Sequence, residues 1–125
     1  MNTVTLAFLG DAFYELSVRR RISGNGTAPQ QADRLHFLAV HYVKASAQAM
    51  ALRELTARGV LSNDELDVAR KARNRKPKSI PKNADPLEYK LATAFEALLG
   101  YHYIGGREGR AEELTELAMG VIDGK

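Results

Sequence analysis

The sequence contains no cysteine, which excludes a disulfide framework and any metal site built from thiolates. It also lacks an apolar run near the ~18 residues that a membrane-spanning helix requires. The first residues have neither the charged segment nor the long apolar segment of a secretory signal peptide. These absences together predict a cytoplasmic protein with no membrane association.

Internal repeats, low-complexity tracts and alternating strand patterns are absent as well. Hydrophobic residues make up 45% of the 125 residues, which is enough for one core and argues against global disorder. The length is that of one ordinary domain. We therefore predict a single domain over 1–125 with an all-α fold.

Apolar residues recur at helical spacing along the chain, which predicts a series of helices. The second begins after Thr27, a candidate N-cap, with Pro29 close to its first turn. The third covers about 45–58, and the pattern leaves open whether it is separate from the second. The first covers about 3–22, and the proposed inward face of that helix consists of Val4, Ala7, Phe8, Ala12 and Leu16.

Capping motifs mark the next two helix starts. Ser62 and Glu65 can form a capping box, and Asp85 with Glu88 can form another. A last, shorter helix is predicted over about 110–122. The three histidines have no zinc-binding spacing and are interpreted as packing or surface residues. Three arginines end the first helix, where their positive charges are expected to interact favourably with the helix dipole. They are Arg19, Arg20 and Arg21.

Three carboxylates lie in otherwise apolar helical segments. Asp11 and Glu15 are four residues apart and share a helix face. Glu96 is enclosed by apolar neighbours, and no Lys or Arg occurs from 91 to 106. A buried carboxylate needs a cation, a hydrogen-bond partner or a raised pKa.

Two interpretations of these acids are open from the residues alone. If the helices pack together, Asp11 and Glu96 could share a divalent ion such as Mg²⁺ or Mn²⁺, which activates water and offsets charge on a phosphodiester. Alternatively, each acid faces solvent from a polar stripe. Acids four residues apart are common on helices, so the residues alone favour the second interpretation.

A basic stretch, RKARNRKPKSIPK, occupies 70–82. It holds seven of the 18 Lys and Arg residues and no acid, although the net charge of the chain is only +3. Dense charge of one sign favours a polyanionic partner over a merely solvated loop. The stretch has no aromatic residue to stack on unpaired bases, which favours double-stranded RNA. The candidate RNA-binding residues are Arg70, Arg73, Asn74, Lys76, Lys78 and Lys82.

At these motifs the chain resembles a known family. FLGDAFYEL resembles the signature helix of ribonuclease III, and TAFEALLGYHY resembles the second acidic helix of that fold. With the basic stretch between them in a short helical chain, the sequence resembles Mini-ribonuclease III, which is the catalytic domain without the double-stranded-RNA-binding domain. The resemblance covers nearly the whole chain. It implies that Asp11 and Glu96 are catalytic and metal-binding, and that Phe8 packs at a two-fold dimer interface.

Two positions differ from the larger ribonuclease III proteins. Ala7 stands four residues before Asp11, where those proteins have an acid, and Thr93 stands three before Glu96, where they often have aspartate. Mini-ribonuclease III proteins resemble this chain in both respects, which leaves a larger share of metal coordination to water or substrate oxygens. Glu15 and Thr93 are expected to support the site without binding the ion.

The resemblance implies a homodimeric, Mg²⁺-dependent endoribonuclease with one site for each strand of duplex RNA. Mn²⁺ is the candidate substitute metal. Cleavage would leave 5′-phosphate and 3′-hydroxyl ends, and the implied bacterial substrate is the double-stranded stem of precursor 23S ribosomal RNA. The alternatives are a non-catalytic RNA-binding or ribosome-assembly module of the same fold and a metal-dependent nucleotide hydrolase. The sequence leaves open the cleavage position, the metal count, a ribosomal-protein helper and a preceding N-terminal segment.

Overall fold

The chain folds into six α-helices in a computed structural model that describes residues 2–26 and 31–125. No strand occurs in those two ranges, so the all-α prediction is confirmed. The proposed cap at Thr27 lies outside them. Lys44, with extended backbone at ψ 151°, separates the second helix from the third. The helices are α1 (Thr3–Ile22), α2 (Ala32–Val43), α3 (Ala45–Ala57), α4 (Asn63–Asn74), α5 (Pro86–Ile104) and α6 (Glu108–Ile122).

α5 is the central helix and packs against α1, α3, α4 and α6. Two glycines set its crossing with α1. A Cβ atom on Gly10 would lie 1.6 Å from the backbone oxygen of Glu96, and one on Gly100 would lie 1.9 Å from that of Leu6. The two backbones therefore touch, and this contact places the α1 turn that carries Asp11 beside Glu96.

The predicted inward face of α1 is wrong except at Ala7. Val4, Phe8 and Leu16 are 49%, 76% and 70% exposed, and Ala12 is exposed too. A pattern of apolar side chains does not include glycine, which has no side chain. Only glycine permits the backbone contact with α5, however, so the face of α1 that carries Gly10 turns toward the core. The other side chains that α1 buries are Tyr14, Ser17 and Val18.

The predicted cap of α4 is confirmed, and that of α5 is confirmed in part. Ser62 Oγ accepts from the backbone N–H of Glu65 at 3.1 Å, while the Glu65 carboxylate accepts from the Ser62 N–H at 2.8 Å. At α5, Asp85 Oδ1 accepts from the N–H of Leu87 and of Glu88, at 2.9 and 3.0 Å. Glu88 does not return a bond to the Asp85 backbone, so α5 is capped by Asp85 alone.

A buried charge network fixes α4 and α6 to α5. The Glu65 carboxylate accepts from Arg110 Nε and Nη2 at 2.8 and 2.9 Å and from His102 Nε2 at 2.5 Å. Hydrogen bonding to Arg110 is the main reason that the pKa of Glu65 falls to about 2. Arg107 Nε donates to His102 Nδ1 at 3.0 Å, so the neutral ring carries its proton on Nε2. His102 therefore has a structural role.

The arginines at the end of α1 pair with acids. Arg20 and Arg21 both donate to the Glu112 carboxylate of α6, at 2.6 and 2.8 Å, and Arg19 donates to Glu15 at 3.2 Å. The two pairs to Glu112 fix α1 to α6, which adds a tertiary role to the expected dipole interaction. Within the two described ranges, no helix is both long and apolar enough to cross a membrane.

Candidate active site

The contact between α1 and α5 brings Asp11 and Glu96 into one site. Asp11 on α1 is exposed, whereas Glu96 on α5 is partly buried. Burial, followed by the negative charge of Asp11, raises the pKa of Glu96 to about 8. The raised pKa means that Glu96 keeps its proton at neutral pH in the absence of a cation. A cation bound beside Asp11 and Glu96 would favour the ionised form of Glu96.

The two proposed supporting residues, Glu15 and Thr93, are on the same helices as the two acids. The charge of Glu15 also raises the pKa of Glu96, while its carboxylate pairs with Arg19. Thr93 donates its hydroxyl to the Tyr89 carbonyl of its own helix at 2.9 Å. Glu15 therefore acts on Glu96 through its charge, whereas the Thr93 hydroxyl is used within α5.

Gln48 is the site residue that the sequence analysis missed. It lies on α3, is 3% exposed, and donates from Nε2 to Glu96 Oε2 at 3.3 Å and to the Val43 carbonyl at 2.8 Å. Among the residues that the structure describes, Gln48 Oε1 is buried without a hydrogen-bond partner. One feature of the sequence could have identified Gln48: it is a single amide among the alanines of a helix that was predicted to have a buried face.

The donor set of this site suits a hard divalent ion. No group of three or more His, Cys, Asp or Glu residues positioned to bind a metal occurs in 2–26 or 31–125, so the chain itself offers two carboxylates, Asp11 and Glu96. Mg²⁺ typically binds proteins through one or two carboxylates and fills its other positions with water and phosphate oxygens. Gln48 Oε1 is a further buried oxygen on a side chain that contacts Glu96. The residues therefore fit Mg²⁺ or Mn²⁺.

The middle of the basic stretch lies beside α5, near Thr93. Arg75 and Pro77 line one small cavity together with Thr93, which is one helical turn from Glu96. At the end of α4, Arg70 and Lys71 both pair with the exposed Asp67. Such surface pairs are weak, so both cations stay available to a phosphate.

The remaining cations of the stretch face solvent. Arg73 Nε donates to Asn74 Oδ1 at 3.3 Å, which orients two predicted RNA-binding side chains together. In the part of the chain that the structure describes, none of the other four is in an ion pair. These four exposed cations are Arg75, Lys76, Lys78 and Lys82.

We expect the stability of the metal-free protein to fall as pH rises from about 4.5 to about 8. Folding raises the pKa of Glu96 from 4.5 to about 8, so the folded state binds the proton more tightly, and this advantage is lost as the carboxyl ionises. The loss is on the order of 5 kcal/mol. Urea unfolding in EDTA across this range measures it.

The control for this pH dependence is Glu96→Gln, which has the same shape and no titrating proton. It should lack this part of the pH dependence and be more stable than the wild type above about pH 8. Added Mg²⁺ should restore the stability of the wild type at high pH but not change the variant to the same extent. Parallel pH profiles for the two proteins in EDTA would contradict the raised pKa.

The sequence and the fold match those of known proteins. The family model described as the Ribonuclease III domain matches residues 4–107. A Fusobacterium nucleatum protein solved by X-ray crystallography has a TM-score of 0.79 and 28% identity, covering 98% of this chain and 93% of that one. The all-α domain is therefore that of a ribonuclease III-type endoribonuclease.

Curated relatives define the family more narrowly. The Mini-ribonuclease 3 of Brevibacillus brevis is 43% identical over 99% of this chain and 90% of its own length. The Mini-ribonuclease 3 of Symbiobacterium thermophilum is 43% identical over 96% and 89%. The chain belongs to the Mini-ribonuclease 3 family, as its two acidic helices predicted.

Proposed function

We propose that this protein is a Mg²⁺-dependent endoribonuclease that cuts double-stranded RNA in the cytoplasm, and that its substrate is the double-stranded stem of precursor 23S ribosomal RNA. The observation that carries the proposal is the meeting of Asp11 and Glu96 at the α1–α5 contact, beside a stretch of exposed cations. A duplex backbone is a polyanion, and a divalent ion between two acids is the usual means of hydrolysing it. The rRNA stem is the substrate that the family resemblance implies.

Asp11 and Glu96 would hold the ion, and Mn²⁺ could replace Mg²⁺ because both prefer oxygen ligands. When bound, such an ion would lower the pKa of a water and offset charge on the scissile phosphate. Glu96 would give up its proton on binding, and the charge of the ion would offset the repulsion between the two carboxylates. Attack of the water on phosphorus, in line with the 3′-oxygen, would break the bond between phosphorus and that oxygen, which takes up a proton while the attacking water loses one. The products are a 5′-phosphate and a 3′-hydroxyl.

The exposed face of α1 supports the proposed homodimer. Val4, Phe8 and Leu16 lie four and eight residues apart, so they form one apolar stripe on the surface. An extended apolar stripe on a small protein generally marks an interaction surface. In a two-fold dimer, Phe8 would be covered by the second copy, and two acidic sites would act on the two strands of one duplex.

The basic stretch is the proposed substrate clamp, and neutralising it should weaken duplex binding. We expect Lys76→Gln, Lys78→Gln and Lys82→Gln each to lower the affinity for all duplex sequences and to reduce the salt slope by about one, because each loses one phosphate contact. Fluorescence anisotropy at several KCl concentrations measures both quantities. Lys125→Gln, the same change outside the stretch, is the control. Salt slopes equal to that of the wild type would remove the stretch from the binding surface.

The direct test of the function is an incubation of the purified protein with duplex and single-stranded RNA, with and without Mg²⁺, followed by mapping of the ends. Cutting of the duplex alone, in Mg²⁺ alone, supports the proposal. Binding of the duplex without cutting would favour the RNA-binding module of the same fold. Hydrolysis of free nucleotides with intact RNA would favour the nucleotide hydrolase. A precursor 23S stem compared with an unrelated duplex tests the substrate, and added ribosomal proteins test the helper.

A further inference from the structure

Gln48 connects three parts of the site through one amide. Its Nε2 donates to Oε2 of Glu96 on α5 and to the carbonyl of Val43, the last residue of α2. The side chain itself comes from the first turns of α3 and is buried. The amide therefore fixes the Glu96 carboxylate relative to the junction of α2 and α3.

The donor and acceptor ends of this amide are determined by its surroundings. Val43 and Glu96 both present acceptor oxygens, so the amide nitrogen must face them, and the opposite orientation would place oxygen against oxygen. This orientation leaves Oε1 buried and unpaired. Such an acceptor costs roughly 1–3 kcal/mol in a folded protein, so a residue kept there for packing alone would be disfavoured.

We propose that Gln48 is a positioning residue for the metal site: its amide nitrogen holds the Glu96 carboxylate in the orientation that binds the divalent ion, and its unpaired oxygen accepts a hydrogen bond from water that enters with that ion. The inference rests on the proposed function, since Glu96 must be a metal ligand. Gln48 touches neither the ion nor the RNA. Its effect passes through the carboxylate that it holds.

The neighbours of Gln48 support this role over a packing role. Ala47, Ala49 and Ala51 are all buried around it, so this part of α3 is otherwise lined by small apolar side chains. A carboxylate side chain that rotates freely loses conformational entropy when it binds a metal ion. A hydrogen bond that already fixes its orientation removes part of that cost. Partners that orient metal ligands in this way typically contribute about 10- to 100-fold in metal affinity.

The test is the Mn²⁺ affinity of the protein without RNA, measured by the electron paramagnetic resonance signal of free Mn²⁺. Gln48→Met keeps the volume and removes both amide groups, and we expect it to weaken Mn²⁺ binding by about 10- to 100-fold. Duplex affinity in EDTA should equal that of the wild type. Gln48→Asn keeps an amide on a shorter side chain that cannot reach Glu96, and it should show the same loss if the Met variant folds poorly.

Thr115→Val is the matched control, because Thr115 is fully buried on α6 and donates only to the Ala111 carbonyl of its own helix. It should lose some stability and keep wild-type Mn²⁺ affinity. Wild-type Mn²⁺ affinity in both Gln48 variants would overturn the inference, as would an equal loss in Thr115→Val or no Mn²⁺ binding by the wild type. A wild type that binds Mn²⁺ through Gln48-dependent contacts and leaves duplex RNA intact would refute the proposed function alone.

Discussion

Glu96→Gln is expected to abolish cleavage of duplex RNA, with a rate at least ~10³-fold below that of the wild type. The change removes one of the two carboxylates that the chain offers to the ion, and it keeps the size and shape of the side chain. A metal ion contributes several kcal/mol of charge stabilisation in a phosphodiester displacement, and each 1.36 kcal/mol is a factor of about ten. Asp11→Asn should have a comparable effect.

The same substitution should leave the protein folded, with the oligomeric state of the wild type. The neutral amide resembles the protonated Glu96 carboxyl in size and charge, and above about pH 8 it also avoids the repulsion between two ionised acids. Single-turnover rates at saturating Mg²⁺ measure the chemistry, while gel filtration and thermal unfolding monitor the oligomeric state and the fold. Gel filtration and thermal unfolding show whether a low cleavage rate comes from the loss of a metal ligand or from misfolding.

Glu15→Gln is the control from the same helix face. Glu15 influences the site through its charge and pairs with Arg19, so its loss should change the rate by less than about tenfold. A wild-type rate in Glu96→Gln at ordinary Mg²⁺ concentrations would remove Glu96 from the mechanism. A rate as low in Glu15→Gln as in Glu96→Gln would make Glu15 a ligand as well.

Gly10→Ala is expected to damage both the stability and the activity of the protein. The added Cβ would lie 1.6 Å from the backbone oxygen of Glu96, and a helix backbone cannot move aside as a flexible side chain can. α1 must therefore shift away from α5, at a cost of about 1–3 kcal/mol or more. Asp11 is the next residue, so the two carboxylates should separate and cleavage should be strongly reduced. Urea unfolding and cleavage rates measure the two effects.

Gly120→Ala tests whether this loss belongs to the helix contact or to glycine replacement in general. Gly120 is also helical, on α6, and a Cβ there would meet nothing within 4 Å. Alanine at that position should stabilise the protein by roughly 0.5–1 kcal/mol, because it restricts the unfolded chain. If Gly10→Ala were as stable and active as Gly120→Ala, the backbone contact between α1 and α5 would be wrong.

Local sequence signals accounted for most of the helix bounds. The capping box of Ser62 and Glu65 fixed the start of α4, and Asp85 fixed that of α5, because a cap depends only on residues three or four apart. The sequence also supplied the two acidic helices through which the family resemblance entered. It proposed that Asp11 and Glu96 meet, but the residues alone did not favour that interpretation over two solvated acids.

Tertiary contacts decided the rest. The inward face of α1 was predicted from its bulky apolar residues, and it is instead set by Gly10 because only a residue without a side chain lets two helix backbones touch. Gln48 could not be recognised from its neighbours, since its partners are a carboxylate on another helix and the end of a third.

The sequence by itself determined the helical segments, two candidate acids and a basic stretch, since each depends on neighbouring residues and on composition. The structure decided that the second and third helices are separate. The tertiary structure decided which helix faces meet, which raised the pKa of Glu96 and left the α1 stripe around Phe8 exposed. The periodicity of apolar residues describes one helix at a time, whereas a site shared by two helices depends on how those helices pack against each other.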